Sequence, residues 1–434
     1  MTVGAIQKAP HAGKVFGTDF PMGVGGLGGT ETGPLSLLHV FWIAGMSCDG
    51  CSVAVTGATS PSIEELLTGS IPGMPRVVLH HPVLSVDAGH GFIRPFAMAV
   101  DGTLGAPYVM VLEGSIPDDQ RFERDGYFSG FGVGEDWPES LTSPRAPDQP
   151  LRVTDWVKAM APGAAASIAI GTCATWGGIP AAAGNVTGSM GLMDFLGKDY
   201  LSSLGIPVVN VPGCSPIGDN FTETVAAVLL FLQGVGPLPE FDELGRPAWL
   251  YAETVHRHCP RAGYYEEGVF ADEYGDQECL VDLGCWGPVV QCNITERGAI
   301  NHMGGCMVAG GPCIGCTMPG FPDKFSPFYK APPGSMISGG IARTYGAGIR
   351  RLRRISMRSG NRESLWDRTG EIPSGWAVEH NAKPPAAAKL VGFFYKRLQY
   401  NGSVNQAKRA GQLPLPETMN VLSRTTGHAS EEQS

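Results

Sequence analysis

The most informative absences in this sequence concern membranes, export and disulfides. No run of about 18 uninterrupted apolar residues occurs, so no transmembrane helix is predicted. Residues 1–30 contain neither a basic segment followed by an apolar one nor a twin arginine, so we expect no export signal. The odd number of cysteines, 11, does not fit a simple disulfide framework. We therefore expect a cytoplasmic protein whose cysteines bind metal or take part in catalysis.

Charge is also scarce, and it is unevenly distributed along the chain. Charged residues make up only 17% of the 434 residues, which suggests that a partner covers much of the surface. Residues 331–434 hold 15 of the 31 basic and 7 of the 41 acidic side chains, so they carry +8 and the remainder carries −18. The basic stretch 349–354 is interpreted as a solvated helix or strand face, or as a docking surface for an acidic body. Nucleic acid is not expected as a partner, because the remainder is acidic and no recognisable motif occurs.

Apolar runs of strand length recur between about residues 35 and 235. The predicted strands are Leu38–Ala44, Val77–Leu84, Tyr108–Leu112, Ala166–Ile170 and Ile206–Val211. Continuous apolar runs without alternation indicate strands that are buried on both faces, as in a parallel sheet. Helical patterns lie between them at Ser52–Thr59, Thr154–Met160 and Phe221–Gln233, the last with Asp219 or Asn220 as N-cap. The predicted fold class is α/β, with a doubly wound parallel sheet.

Composition divides the chain into four predicted parts. Residues 1–33 are glycine-rich and are expected to form a flexible arm, and residues 34–239 form the α/β domain with a polar inserted loop at 116–150. In residues 240–330 the periodicity vanishes while cysteines crowd together. We expect this part to have too few apolar residues for a core of its own, and to be an irregular domain organised by metal. Residues 331–434 form a basic C-terminal extension.

The eleven cysteines and one histidine sort into three sets of four, with no cysteine left over. The sets are Cys48, Cys51, Cys173 and Cys214; His256, Cys259, Cys279 and Cys285; and Cys292, Cys306, Cys313 and Cys316. Four ligands, mostly thiolates, repeated three times, is what three cubane iron–sulfur clusters require. Alternatives stay open for the first set, because cysteines are often small buried residues, and a Cys-x-x-Cys pair can be a redox pair or half a zinc site.

The first set follows the ends of predicted strands. Cys48 and Cys51 come after the first strand, and Cys173 and Cys214 each come after a later one. Sites in open α/β sheets form at the carboxyl ends of strands, so these thiols should converge at one edge. Glu113 ends another strand at that edge, where it could relay protons, accept backbone N–H bonds or be a plain surface residue.

The second and third sets each contain one residue that decides their chemistry. In the second set, the x-x spacing to Cys259 favours His256 as the imidazole ligand, with its neighbour His258 as the alternative. Such a set of three thiolates and one imidazole also suits structural zinc, and in a cluster the imidazole would tend to raise the potential. In the third set, Cys306 decides between a [4Fe–4S] cluster and a [3Fe–4S] cluster, which needs only three thiolates.

These spacings resemble those of the small subunit of [NiFe]-hydrogenases. The resembling segments are WIAGMSCDGC (42–51), VLEGSIP (111–117), GTCATWGG (171–178), VPGCSP (211–216), HRHC (256–259), the Cys279-x5-Cys285 pair and GGPCIGCTMPGF (310–321). They run in family order and cover roughly residues 35–330. The resemblance implies a flavodoxin-like domain that holds a proximal cluster, followed by a domain with distal and medial clusters. The first set would bind the proximal cluster, the second set the distal cluster and the third set the medial cluster.

The resemblance also implies a function and a partner. A separate large subunit would hold nickel and iron and cleave H2, because no Cys-x-x-Cys pair remains for nickel once all eleven cysteines are assigned. Electrons would pass through three [4Fe–4S] clusters to an external acceptor such as a quinone, a cytochrome or another carrier. The absent signal, inserted loop and long tail are most similar to the soluble actinobacterial-type high-affinity uptake enzymes, so we expect a higher oligomer of heterodimers. Any membrane association would then be made through partners.

The departures from the family pattern are informative. Many members carry proline where Cys306 stands, so the fourth cysteine here indicates a medial [4Fe–4S] cluster. Gly50 stands where an extra proximal cysteine would be in oxygen-tolerant membrane-bound members, and Cys51 stands where an aspartate ligand can occur in the actinobacterial type. The quinone-reductase subunit of NADH dehydrogenase shares the flavodoxin-like domain, but it carries adjacent paired cysteines, which Cys48 and Cys51 are not. A zinc-stabilised scaffold is the alternative outside redox chemistry.

Overall fold

The computed structural model describes residues 14–15, 18–19, 35–121, 127–326 and 328. The predicted C-terminal extension at 331–434, with its basic stretch, lies outside the described residues, as does nearly all of the predicted N-terminal arm.

Parallel strands form the centre of the molecule. In chain order the strands are β1 (Lys14–Val15), β2 (Thr18–Asp19), β3 (Leu37–Ala44), β4 (Arg76–His80), β5 (Tyr108–Glu113), β6 (Gly130–Val133), β7 (Pro150–Arg152), β8 (Ala166–Ile170) and β9 (Val209–Val211). Five of them form a parallel sheet in the order β4-β3-β5-β8-β9, and β1/β2 and β6/β7 are antiparallel pairs. Numbered within the sheet, this order is 2-1-3-4-5, which is the order of flavodoxin-like folds. It reverses between β3 and β5, where such folds place their sites.

Helices cover both faces of this sheet. The α-helices of the described residues, of which the last three lie in residues 240–330, are α1 (Gly50–Thr56), α2 (Ile63–Thr68), α3 (His90–Val100), α4 (Val153–Met160), α5 (Gly171–Trp176), α6 (Leu192–Leu196), α7 (Gly218–Leu232), α8 (Ala248–Tyr251), α9 (Ala262–Glu267) and α10 (Ile294–Arg297). Successive side chains of a strand point to opposite faces, so Val40 and Trp42 pack in the apolar cluster that includes α7. Phe41 and Ile43 pack in the cluster that includes α3 and α4. The predicted doubly wound α/β class is therefore confirmed.

The chain departs from the predicted boundaries at the end of one strand and at the start of one helix. The strand predicted to run to Leu84 ends at His80, because His81 Nδ1 accepts the N–H groups of Val83 at 3.0 Å and Leu84 at 3.2 Å and so forms a turn. The predicted N-cap of α7 is wrong, since the helix begins at Gly218 and already contains Asp219 and Asn220.

Residues 116–150 form more than the loop that their composition predicts. Strand β6 lies inside this stretch and pairs with β7 at its end, and Gly134 N–H donates to Gln149 O at 2.9 Å. Phe131 stacks on Trp156 of α4 with ring centroids 5.5 Å apart. These contacts anchor the insertion to one face of the sheet.

The prediction that residues 240–330 lack an apolar core of their own is wrong. Val255, Leu280, Trp286, Met307 and Phe325 belong to one buried cluster, in which Cys285 and Cys313 also lie. Few periodic apolar residues are needed here, because short turns rather than long helices bring them together. This core holds the polypeptide around the cysteines of the second and third sets.

Candidate iron–sulfur cluster sites

The first cysteine set lies at the carboxyl edge of the parallel sheet. The loop after β3 carries Cys48 and leads into α1 with Cys51, Cys173 lies in α5 directly after β8, and Cys214 follows β9. Burial raises the pKa of the Cys51 thiol, and the charges of Glu113 and of the other three thiols raise it further. That mutual influence requires short distances, so the fold brings all four thiols together.

Glycines let the backbone approach these sulfur atoms closely. Gly171 has φ +83°, and a Cβ at this position would collide with Sγ of Cys51. Gly178 has φ +55°, and a Cβ there would lie 2.8 Å from Sγ of Cys173. A residue with a side chain would therefore be strained in its backbone and would crowd the thiols.

Glu113 is buried beside the first set, with only 1% of its surface exposed. Its Oε1 accepts the N–H groups of Cys51 at 3.0 Å and Ser52 at 3.3 Å. Its Oε2 accepts Trp42 Nε1–H at 2.8 Å and the Ser52 hydroxyl. Four donors thus converge on this one carboxylate. Glu113 therefore fixes the start of α1, while a role in proton relay stays a prediction.

All four members of the second set line one cavity. His256, Cys259, Cys279 and Cys285 all contribute to the lining of this one pocket. His256 Nε2 is buried and has no hydrogen-bond partner among the residues that the structure describes, and burial lowers the pKa of this imidazole to about 4. A neutral imidazole with a free nitrogen is the form that binds metal. These residues fit a cluster with three thiolate ligands and one imidazole ligand.

The neighbouring histidine is directed elsewhere. His258 Nε2 bonds to Glu253 Oε2 at 2.7 Å, and its side chain is 42% exposed. The 3₁₀ turn at Val255–His258 sends the two histidines in different directions, because residues two apart do not share a face. The structure thus places His256, and not His258, beside the three cysteines.

The third set lies against the apolar core of residues 240–330. Burial raises the pKa of Cys313, and the thiols of Cys285, Cys316 and Cys292 raise it further. Cys306 lies at the surface end of this set, and its charge raises the pKa of both Cys316 and Cys292. All four cysteines are therefore near one another.

Backbone N–H groups are directed at the sulfur atoms in a recurring pattern. In five cases the donor lies two residues after the cysteine, and each hydrogen bond lowers the pKa of the thiol. The pairs are Cys259 with Arg261, Cys279 with Val281, Cys285 with Gly287, Cys292 with Ile294 and Cys313 with Gly315. Burial nevertheless raises the pKa of all five thiols, for example that of Cys279 to about 12. A bound metal would offset this burial and keep them as thiolates, so the donor set fits iron–sulfur ligation.

The three sets are arranged in series. Cys313 N–H donates to Sγ of Cys285 at 3.3 Å, which joins the third set to the second. A backbone hydrogen bond from Cys214 lowers the pKa of Cys316, which joins the first set to the third. The Thr172 hydroxyl closes this second contact by donating to the carbonyl of Cys316 and accepting Gly213 N–H at 3.0 Å. The spatial order is first, third, second.

Neither a site for a single metal ion nor a membrane-spanning helix occurs among the residues that the structure describes. Among them, no three His, Cys, Asp or Glu side chains converge on a position for a single metal ion. In the same part of the chain, no helix is both long and apolar enough to span a membrane.

A flavodoxin-like domain joined to a cysteine-rich domain, with thiol sets in series, defines an electron-transfer protein. Two family models match the chain. The model for the NADH ubiquinone oxidoreductase 20 kDa subunit matches residues 48–228, and the model for the C-terminal part of the NiFe/NiFeSe hydrogenase small subunit matches residues 251–329. The first match is expected from the flavodoxin-like domain that the two groups share.

Known proteins resemble the chain over most of its length. The structure of an actinobacterial-type NiFe-hydrogenase from Ralstonia eutropha H16 has a TM-score of 0.70 and 44% identity, covering 82% of this chain and 97% of that one. The periplasmic [NiFeSe] hydrogenase small subunit of Desulfomicrobium baculatum is 31% identical over 321 residues, which are 71% of this chain and 95% of that protein. The hydrogenase-2 small chain of Escherichia coli K12 is 33% identical over 287 residues, which are 65% of this chain and 67% of that protein.

The chain belongs to the family of [NiFe]-hydrogenase small subunits. It is thus the electron-transfer component of an oxidoreductase, and members of this family carry iron–sulfur clusters.

Proposed function

We propose that this chain carries electrons from H2 oxidation at the nickel–iron centre of a large partner subunit to an external acceptor, by way of three [4Fe–4S] clusters. The serial contact of the three cysteine sets is the observation that carries this proposal. The first set would hold the proximal cluster, the third set the medial cluster and the second set the distal cluster. When bound, these clusters supply one-electron carriers in sequence.

The sheet edge that carries the first cysteine set is the surface where we expect the large subunit to dock. Cys48 and Cys214 are exposed there. Apolar side chains beside them are also exposed, with 69% for Val53 in α1 and 66% for Val83 in the turn after β4. A large subunit docked at this edge would bury these apolar side chains, which favours its binding. A partner seated here would exclude water from the first set.

The remaining features of the proposal follow the actinobacterial-type similarity. We propose an uptake hydrogenase of high H2 affinity that is assembled from several heterodimers. The acceptor is a quinone, a cytochrome or another carrier, and electrons leave from the second set. We place the enzyme in the cytoplasm, with any association to a membrane made through its partners.

Metal analysis of the chain purified with its large subunit tests this function. The proposal predicts about 12 iron and 12 sulfide per chain, with broad absorption near about 400 nm. A zinc-stabilised scaffold would instead hold about 2–3 zinc and be colourless. The nickel-loaded complex should reduce a dye in the presence of H2. A complex that holds nickel but reduces no dye would refute the hydrogenase assignment.

Cys306 tests the type of the medial cluster. A Cys306→Pro variant keeps three thiolates in the third set, so its medial EPR signal should become that of a [3Fe–4S]⁺ cluster. A spectrum identical to that of the unmodified protein would remove Cys306 from the ligand set.

A further inference from the structure

Arg246 is a fully buried cation beside the third cysteine set, with only 1% of its surface exposed. Three neighbours hold its guanidinium group. Nε donates to Asp242 Oδ2 at 2.7 Å, and Nη2 donates to Gln291 Oε1 at 2.5 Å. The guanidinium carbon lies over the ring of Tyr251, 5.2 Å from its centroid.

The fourth side of the guanidinium has no partner among the residues that the structure describes. Nη1 is inaccessible to solvent and makes no hydrogen bond there. A buried charged donor without an acceptor is costly, so a native structure that keeps one normally supplies an acceptor. An anionic group held by neighbouring residues would satisfy Nη1.

The surroundings of Arg246 point to the third set as the source of that anion. Gln291, which fixes Nη2, directly precedes Cys292, and its carbonyl accepts the hydroxyl of Thr317 at 2.8 Å, next to Cys316. Burial and the neighbouring thiols raise the pKa of Cys292, and Arg246 opposes them. The guanidinium is therefore close enough for its charge to act on the thiolates.

We propose that Arg246 is the fixed cation of the medial cluster, and that it raises the reduction potential of the cluster held by the third set. This inference rests on the proposed function. A cluster with four thiolate ligands becomes more negative when it takes up an electron. A cation that cannot move away favours the reduced form, and the low polarity of the interior strengthens the effect.

The carboxylate of Asp242 does not cancel this charge. Its side chain is 23% exposed, whereas that of Arg246 is 1% exposed. Water screens the more exposed partner better, so the field inside the protein is dominated by the guanidinium. Asp242 should therefore lower the medial potential, but by less than Arg246 raises it.

Redox titration of the assembled heterodimer, monitored by EPR, tests the proposal. In Arg246→Gln, the ratio of reduced to oxidised medial cluster at a fixed potential should fall at least tenfold, which is about 59 mV for a one-electron couple. Arg246→Lys keeps a cation and should retain most of the potential. Asp242→Asn should shift the medial potential in the opposite direction.

The other two clusters and a surface variant serve as controls. The proximal and distal potentials should move less than the medial one in each variant. Arg121 belongs to a surface ion pair, and its own side chain is 52% exposed. Arg121→Gln should therefore change none of the three reduction potentials. A medial potential that stays constant in Arg246→Gln and Asp242→Asn, or an equal shift of all three clusters, would overturn the proposal. An unmodified protein without iron and sulfide would refute the proposed function instead.

Discussion

The buried carboxylate of Glu113 offers a sharp test of how the first cysteine set is held. Glu113→Gln preserves the shape of the side chain but replaces one acceptor oxygen with a donor group. The four hydrogen bonds to this carboxylate come from Cys51 N–H, Ser52 N–H, Trp42 Nε1–H and the Ser52 hydroxyl. A glutamine can keep only part of them.

The expected loss of stability follows from how the four donors are divided between the two carboxylate oxygen atoms of Glu113. If the amide oxygen faces the backbone donors of α1, the amide NH2 faces Trp42 Nε1–H, which then has no acceptor. The Ser52 hydroxyl, which donates to the same oxygen, loses its acceptor too, and it cannot donate instead to His81 Nε2, which lies 2.9 Å from its Oγ. That nitrogen carries the proton, since His81 Nδ1 accepts two backbone N–H groups. An orphaned buried donor and the loss of charge assistance together cost about 2–4 kcal/mol.

Hydrogen exchange of the assembled protein measures this cost locally. Opening of α1 should become easier, and a loss of about 2 kcal/mol corresponds to exchange about 30-fold faster for its amides. Glu64→Gln in α2, which removes an exposed carboxylate, is the matched control and should change nothing. Loss of the negative charge beside Cys51 should also raise the proximal reduction potential. Unchanged exchange in α1 together with an unchanged proximal potential would refute this account of Glu113.

Three further predictions address the ligands, the glycine contacts and the pH dependence. His256→Ala should lose the distal EPR signal, whereas His258→Asn should keep it together with the full iron content, because His256 lines the pocket of the second set and His258 does not. Gly171→Ala should lower the iron content from about 12 to about 8 per chain, since its methyl group collides with a thiol of the first set, whereas Gly73→Ala has the same φ of +83° but no neighbour within 4 Å and should not. Burial lowers the pKa of His80 to about 4, so the unfolded chain binds the proton first and stability falls as the pH drops through about 6.5 towards 4. Between about pH 7.5 and 5.5 the free energy of unfolding should fall by about 1 kcal/mol, seen as a lower unfolding temperature, and His80→Phe should reduce this fall. An equal fall in the variant would contradict the attribution of this pH dependence to His80.

Local patterns predicted the sheet well, because a strand that is buried on both faces is apolar at nearly every position. The run Ala166–Ile170 is apolar at nearly every position, and it is a strand with the predicted bounds. The run that continues past His80 contains Pro82, which disfavours a strand interior, and the chain turns at His81 through contacts of its ring nitrogen. The apolar residues on either side concealed this signal. Helix α3 was not predicted either, since Gly91 and Pro95 interrupt its helical pattern.

The sequence by itself determined which residues could be ligands and which fold would carry them. Cysteine and histidine are the residues that bind soft metal centres, and their spacing after strands and turns is local information. Only the tertiary structure decided how the three sets lie relative to one another. The N–H of Cys313 at the sulfur of Cys285, and the guanidinium of Arg246 beside Cys292, join residues far apart in the chain. Such contacts depend on the closure of the whole fold, and no periodicity in the sequence records them.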